Sequence, residues 1–265
     1  MPSDIGEFGA AWDPELMKRI MGAFRPLTRV WHRTELGGIE RVPSTGSLIV
    51  SNHSGGFVPM DIPIIAEAYF NHFGYDRPLY SLGHDVLFAG PQAALFTRAG
   101  LIRAGRANAI KALNSGAAVI VFPGGDYDTF RPSNAANRID FDGRTGYVKT
   151  AVEAGVPIVP VVLAGGQQNQ IYLTRGRRLG RRLGLKRMLR MDMVPLTAGF
   201  PFGVTPLPLN VPLPTKISGQ VLEPIDISAR FGGDPDVAAI DAYVRKVMQD
   251  ALTRLAAARR FPVIG

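Results

Sequence analysis

The chain has 265 residues, 46% hydrophobic and 20% charged, enough for a sizeable core in one large domain, alone or with a helical appendage. It contains no cysteine, which excludes a disulfide framework, a thiol nucleophile and cysteine-ligated zinc. The net charge is +8, and Arg175 to Arg190 alone carries eight basic residues and no acidic one, so the basicity belongs to one surface and the rest of the chain is neutral.

The opening residues M-P-S-D-I-G-E-F-G-A lack the basic-then-apolar order of a signal peptide, which sets a cytoplasmic expectation. Asp13 to Glu35 reads as an amphipathic helix with Pro14 at its first position, carrying Leu16, Ile20, Phe24, Leu27 and Trp31 at helical spacing. Pro26 interrupts it, which favours packing on the domain over lying in a membrane interface. An α/β portion starts near Ile39. Leu48-Ile49-Val50 ends a buried strand, and Ile62 to Phe70 forms a helix with proline in its first turn. Pro78 to Leu82 is a short strand, followed by a helical stretch to about Phe96. Thr97 to Arg103 reads as another strand, and Asn108 to Ser115 as a helix closed by Gly116. Ala117 to Phe122 is a continuous apolar strand, Gly146 to Ala154 a helix ended by Gly155, and Val156 to Leu163 a further buried strand. Alternating strands and helices of this kind predict a mostly parallel central sheet flanked by helices.

Met193 to Thr215 has 23 residues without a charge, but its six prolines and two glycines argue against a membrane-spanning helix. The segment reads as an apolar, proline-rich loop. Beside the basic run, it predicts a membrane-contacting insertion over 175–215, with arginines facing anionic head groups. Lys216 to Ile225 is a closing strand. Asp236 to Arg260 is a terminal amphipathic helix whose stripe includes Ile240, Val244, Met248, Ala251 and Leu255. The organisation expected is a helical segment over 1–36, an α/β domain over 37–232 and a C-terminal helix over 233–265.

The chemistry-bearing stretch is Ser51 to Asp61, S-N-H-S-G-G-F-V-P-M-D. It puts His53 on a glycine-rich loop between the carboxyl end of a strand and a helix, where open α/β sheets hold ligands. A carboxylate that fixes one ring nitrogen leaves the other to take a proton from a hydroxyl. The same residues also fit a loop histidine bonded to backbone and an N-cap aspartate; spacing alone does not choose. No G-x-S-x-G, P-loop, G-x-G-x-x-G or H-E-x-x-H occurs, so serine hydrolase, NTPase, Rossmann and zinc readings fail.

Several motifs follow one another: Asn52-His53 and Asp61; R-A-G-L-I-R-A-G-R over Arg98 to Arg106; Phe122-Pro123-Gly124-Gly125; Gly143-Arg144-Thr145-Gly146; and Val156-Pro157-Ile158-Val159-Pro160-Val161. This order resembles the PlsC-like glycerolipid and lysophospholipid acyltransferases over about Ile39 to Ile227. Two departures are evident. Seven residues separate His53 from Asp61 instead of the family's four, and F-P-E-G is replaced by F-P-G-G, a form similar to mono- and diacylglycerol acyltransferases with neutral acceptors. The resemblance implies acyl transfer from acyl-CoA, or an acylated carrier protein, to a hydroxyl of a glycerolipid or lysophospholipid. His53 is then the base and Asp61 its partner. Asn52, Gly55, Gly56, Phe122, Pro123, Gly124 and Gly125 surround the substrates, and Arg98, Arg103, Arg106 and Arg144 meet phosphates. Asp126 and Asp128 fit either turn formation or orientation of the acceptor.

Such chemistry needs no metal and no cofactor beyond acyl-CoA as co-substrate, and it suits a peripheral protein on the cytoplasmic face of an anionic membrane. Two other readings use the same residues. One is a non-catalytic lipid-binding protein of the same fold. The other is a basic nucleic-acid-binding protein, which the scarcity of aromatics near the arginine run disfavours.

Overall fold

Short β-branched runs supply the parallel centre of the sheet, and the glycine or proline after each run turns the chain out at one edge. The computed structural model describes residues 6–9, 12–55, 59–182 and 193–261. Its main sheet contains β1 (Glu35–Gly37), β2 (Ser47–Ser51), β3 (Leu79–Gly83), β4 (Leu101–Arg103), β5 (Ala118–Val121), β6 (Ile158–Ala164) and β10 (Ser218–Val221). The order is β1-β10-β6-β2-β5-β3-β4. The five strands from β6 to β4 are parallel; β10 runs antiparallel to β6 and carries β1 parallel to itself. The α/β, mostly parallel architecture is therefore present, with one reversed edge.

Alternation along β2, β5 and β6 splits the core in two. Leu48, Val50, Val119, Ile158 and Val162 face the side covered by α4 (Arg106–Asn114), α6 (Gly146–Ala154) and the terminal helix Val237–Ala258. Ile49, Ile120, Val159 and Val161 face α1 (Pro14–Arg25) and α2 (Asp61–Phe73). The terminal helix buries Ile240, Val244, Met248 and Leu252, each contributing about 1.5–3 kcal/mol. It is a layer of the domain core and not an appendage, and β1 likewise joins residues before 37 to the sheet.

Three local expectations change. Asp13 caps α1 by accepting the Leu16 N–H at 2.9 Å, but the chain continues past Pro26 as a π-helical turn, Pro26–Trp31. Thr97 and Arg98 end a helix, α3 (Ala93–Arg98), before the chain turns at Gly100 into the three-residue β4. The proline-rich segment is not a loop. With β7 (Ile171–Thr174) it makes a second, antiparallel sheet in which β8 (Leu196–Gly199) and β9 (Gly203–Pro206) form a hairpin. Prolines at the ends of strands and in the turn leave the ladder donors of the hairpin intact. Of the basic run, Arg175 to Arg182 is described, with Arg177–Arg182 helical (α7); 183–190 lies outside the described residues.

Candidate active site

The parallel strands bring three connections to one edge: the His53 loop after β2, Phe122-Pro123-Gly124 after β5, and Gly165 to Gln170 after β6. Asp61 is the first residue of α2 and its side chain is fully buried. It does not cap the helix. Its Oδ2 accepts from His53 Nδ1 at 2.8 Å and from the Ser54 N–H at 2.6 Å, and its Oδ1 accepts from Ser54 Oγ at 2.5 Å. The negative charge also sits in the first turn of α2, where the helix dipole favours it. The His53 ring stacks on Phe122, with centroids 4.2 Å apart and planes 22° apart. With Nδ1 committed to Asp61, Nε2 is the nitrogen left to meet a hydroxyl.

The backbone of His53 is gripped as firmly as its ring. Its N–H donates to Asp128 Oδ2 at 2.7 Å, and its carbonyl accepts from Gln167 Nε2 at 2.7 Å. Gln167 Nε2 also donates to the Asp128 carbonyl at 2.8 Å. Asp128 is ion-paired through Oδ1 with Arg131, itself only 1% exposed. Burial pushes the Asp128 carboxyl up to about 6, against the opposing pull of Arg131 and the His53 N–H. The room for this carboxylate comes from Gly124: a Cβ there would sit 2.5 Å from Asp128 Cβ. Arg131, Gln167 and Ser54 were not among the residues singled out by the sequence, and Asp128 entered there only as a turn former or an acceptor-orienting residue.

The sequence-chosen residues divide. His53, Asp61 and Phe122 meet, and Gly55 adjoins them. The Gly55 carbonyl accepts from Asn169 Nδ2 at 3.3 Å, and any side chain at Gly55 would run into the Tyr172 ring. Gly56 lies outside the described residues. Gly125 commits its N–H to Phe122 O at 3.0 Å, which leaves Gly124 as the candidate oxyanion donor of that pair. Pro123 lines a cleft of about 310 Å³ with Phe122, Arg106, Arg144 and Tyr147. His53 is not among the residues that line this cleft. Arg144 donates to Gly124 O at 3.0 Å and to Asp126 Oδ1 at 2.9 Å, so it braces the loop as well as lining the cleft. Arg106 is 3.5 Å from Glu153 across a half-exposed pair.

Three further sequence-chosen residues are engaged in contacts of their own. Arg98 is ion-paired with Asp13 and accepts the Asp13 N–H at 3.1 Å, so it fastens α1 at the amino end of β4, away from the dyad. Arg103 packs over Phe88 with its guanidinium 5.1 Å from the ring, and lies 3.6 Å from Asp85. Asn52 is buried and extends the β2–β6 ladder, donating to Leu163 O and accepting the Leu163 N–H, each at 2.9 Å. Asn52→Ala would leave both Leu163 groups unpaired, and we expect a loss of about 1–3 kcal/mol in urea denaturation.

A larger cavity of about 1000 Å³, between the Leu222–Asp226 segment and the terminal helix, contains no histidine among its lining residues. It borders the amino half of β6, where Ile158 bridges Ile225. The candidate general base is therefore at the opposite edge, not in this cavity. Among the described residues no cluster of three or more His, Asp or Glu is arranged to hold a metal ion.

The chain is similar to several known proteins. The Acyltransferase family profile matches residues 33–164. An uncharacterised Mycobacterium tuberculosis protein is 33% identical over 97% of this chain and 70% of its own length. A Bos taurus protein described as a DGAT1/2-independent enzyme synthesizing storage lipids is 29% identical over 73% of this chain and 56% of its own. In fold, the chain is similar to the crystal structure of the 1-acyl-sn-glycerophosphate (LPA) acyltransferase PlsC from Thermotoga maritima. That match has a TM-score of 0.58 at 22% identity and covers 92% of this chain and 81% of the other.

Proposed function

Since the chain belongs to the PlsC-like acyltransferase family, we propose that it moves a fatty acyl group from acyl-CoA to a hydroxyl of a glycerolipid or lysophospholipid. The observation that carries the reading is the buried Asp61 holding His53 Nδ1 at 2.8 Å at the carboxyl edge of the sheet. His53 Nε2 takes the acceptor hydroxyl proton as its oxygen attacks the thioester carbonyl. Asp61 fixes the tautomer and stabilises the imidazolium. The Gly124 N–H is the candidate donor to the tetrahedral oxyanion. Collapse breaks the C–S bond, and the proton held on His53 goes to the departing thiolate. The chemistry calls for no cofactor besides the acyl-CoA co-substrate. Arg106 and Arg144, which line the cleft beside Phe122, suit the donor phosphates.

A neutral glyceride acceptor is favoured over lysophosphatidic acid by two features. Glycine stands at 124 where the family's F-P-E-G carries an acid, and the bovine relative is described by storage-lipid synthesis. The test is release of CoA from palmitoyl-CoA in liposomes, with lysophosphatidic acid, other lysophospholipids, monoacylglycerol and diacylglycerol offered separately. Acceptor-dependent release that His53→Ala lowers by at least about a hundredfold is expected. Equal rates in the variant would remove His53 as the base, and no acceptor-dependent release at all would replace catalysis with lipid binding as the function.

A further inference from the structure

Ten of the fourteen exposed large apolar side chains among the described residues lie in one corner, on the small sheet and on the turn Val30-Trp31. Phe200 is 80% exposed, Phe202 64% and Val204 65%, all at the tip or outer edge of the β8–β9 hairpin. Trp31 is tied to the same corner by its indole N–H, which donates to Pro212 O at 3.1 Å. A water-facing apolar patch of this extent marks a binding surface.

The kind of partner follows from charge and backbone. No charged residue occurs from Met193 to Thr215, yet cations border the patch. Arg33 donates to Pro214 O at 2.9 Å, and Arg178, Arg181 and Arg182 are exposed beyond β7. An apolar centre with a cationic margin complements a bilayer of anionic lipid: hydrocarbon below, phosphate around. Three backbone groups at the tip already have partners, as entry into lipid favours. The buried Asn210 accepts the Phe202 N–H and donates to Gly203 O, both at 3.0 Å, and Val211 donates to Phe200 O at 2.9 Å. Among the described residues no helix is long and apolar enough to cross a membrane.

We propose that this corner is a membrane seat: the hairpin tip and Trp31 enter one leaflet of an anionic phospholipid bilayer, and the bordering cations engage its phosphates. Resting on the acyl-transfer reading, the seat supplies the route for the acceptor. β7 is contiguous with the dyad loop, because Asn169 binds Gly55 and the Tyr172 ring packs against it. A lipid hydroxyl at the surface is thereby brought beside His53 without the lipid leaving the membrane.

The test is co-sedimentation of the full chain with phosphatidylglycerol/phosphatidylcholine vesicles, with no acyl donor present. Absence of acyl transfer would therefore leave this result standing. Binding is expected to fall at least about tenfold for Phe200→Ser/Phe202→Ser, and severalfold for the unaltered protein in about 0.5 M NaCl. An unchanged melting temperature in the double variant would show that the hairpin, not the fold, was altered. Trp31 emission is expected to shift to the blue with vesicles. Wild-type binding retained by the variant would overturn the proposal. So would an apolar patch that instead pairs two copies, seen as a dimer that the variant dissociates while neither form sediments with vesicles.

Discussion

Asp61→Asn is expected to lower kcat for acyl transfer by about 10³- to 10⁴-fold while leaving KM for the acyl donor nearly unchanged. The carboxylate receives three donors: the His53 ring N–H, the Ser54 N–H and the Ser54 hydroxyl. An amide can accept with only one of its two polar atoms, so either the imidazole is driven to the other tautomer or a buried donor is left facing an NH₂. A stability loss of about 1–3 kcal/mol should accompany the kinetic effect. Steady-state kinetics with the preferred acceptor, together with urea denaturation, measures both. A variant within tenfold of wild-type kcat would remove Asp61 from the mechanism and with it the assignment of His53 as base.

Asp128→Ala is expected to cost about 3–5 kcal/mol of stability, because it leaves the buried Arg131 guanidinium without its counter-charge. Against a total stability of about 5–15 kcal/mol, that is enough to unfold a marginal domain. Asp128→Ala/Arg131→Met removes both charges, so most of the stability should return. Activity should not, because the His53 N–H still lacks its acceptor. Recovery of kcat along with stability would show that Asp128 serves the fold and does not hold the catalytic loop.

Asp128 also gives a pH signature with a defined sign. Its carboxyl stands at about 6 in the folded protein against an ordinary value of 3.8, so between these values the folded state binds the extra proton. Stability from this group therefore rises as pH falls from about 6 to about 4, and is lost as pH rises through about 6. Other carboxylates oppose this trend, so the comparison is with Asp128→Asn. The difference in unfolding free energy, wild type minus variant, is expected to increase on acidification across that window. A difference independent of pH would place the titration elsewhere.

Much of the scaffold was legible because strands such as Leu48-Ile49-Val50 and Ala118 to Val121 are short apolar runs bounded by glycine, proline or polar residues. The His53–Asp61 pair was legible for the same reason. A strand end and a helix start that share one sheet edge bring their residues together whatever the length of the loop between them. The placement of Arg98 was not legible. Arg98 was assigned to a strand because R-A-G-L-I-R reads as one, while Gly100, with φ +83°, reverses the chain after a helix and sends Arg98 to the opposite end. Asn52 lies next to the histidine in sequence, but its amide faces Leu163, a partner 111 residues away. Gln167 and Asn169 belong to a polar G-G-Q-Q-N-Q turn with no periodicity, so only the fold shows that they hold the dyad loop. The hairpin was hidden by its prolines, which sequence patterns count as breakers even when they stand at strand ends.

The contact between Gly124 and Asp128 constrains how this site can change over generations. A side chain cannot be added at 124 while Asp128 keeps its place, and Asp128 cannot leave without stranding Arg131. An ancestor or descendant with the acidic F-P-E-G form is therefore separated from this chain by a coordinated replacement at three positions, with each single step passing through a weakened protein. The two loop chemistries behave as alternative, internally consistent sets between which lineages do not drift freely.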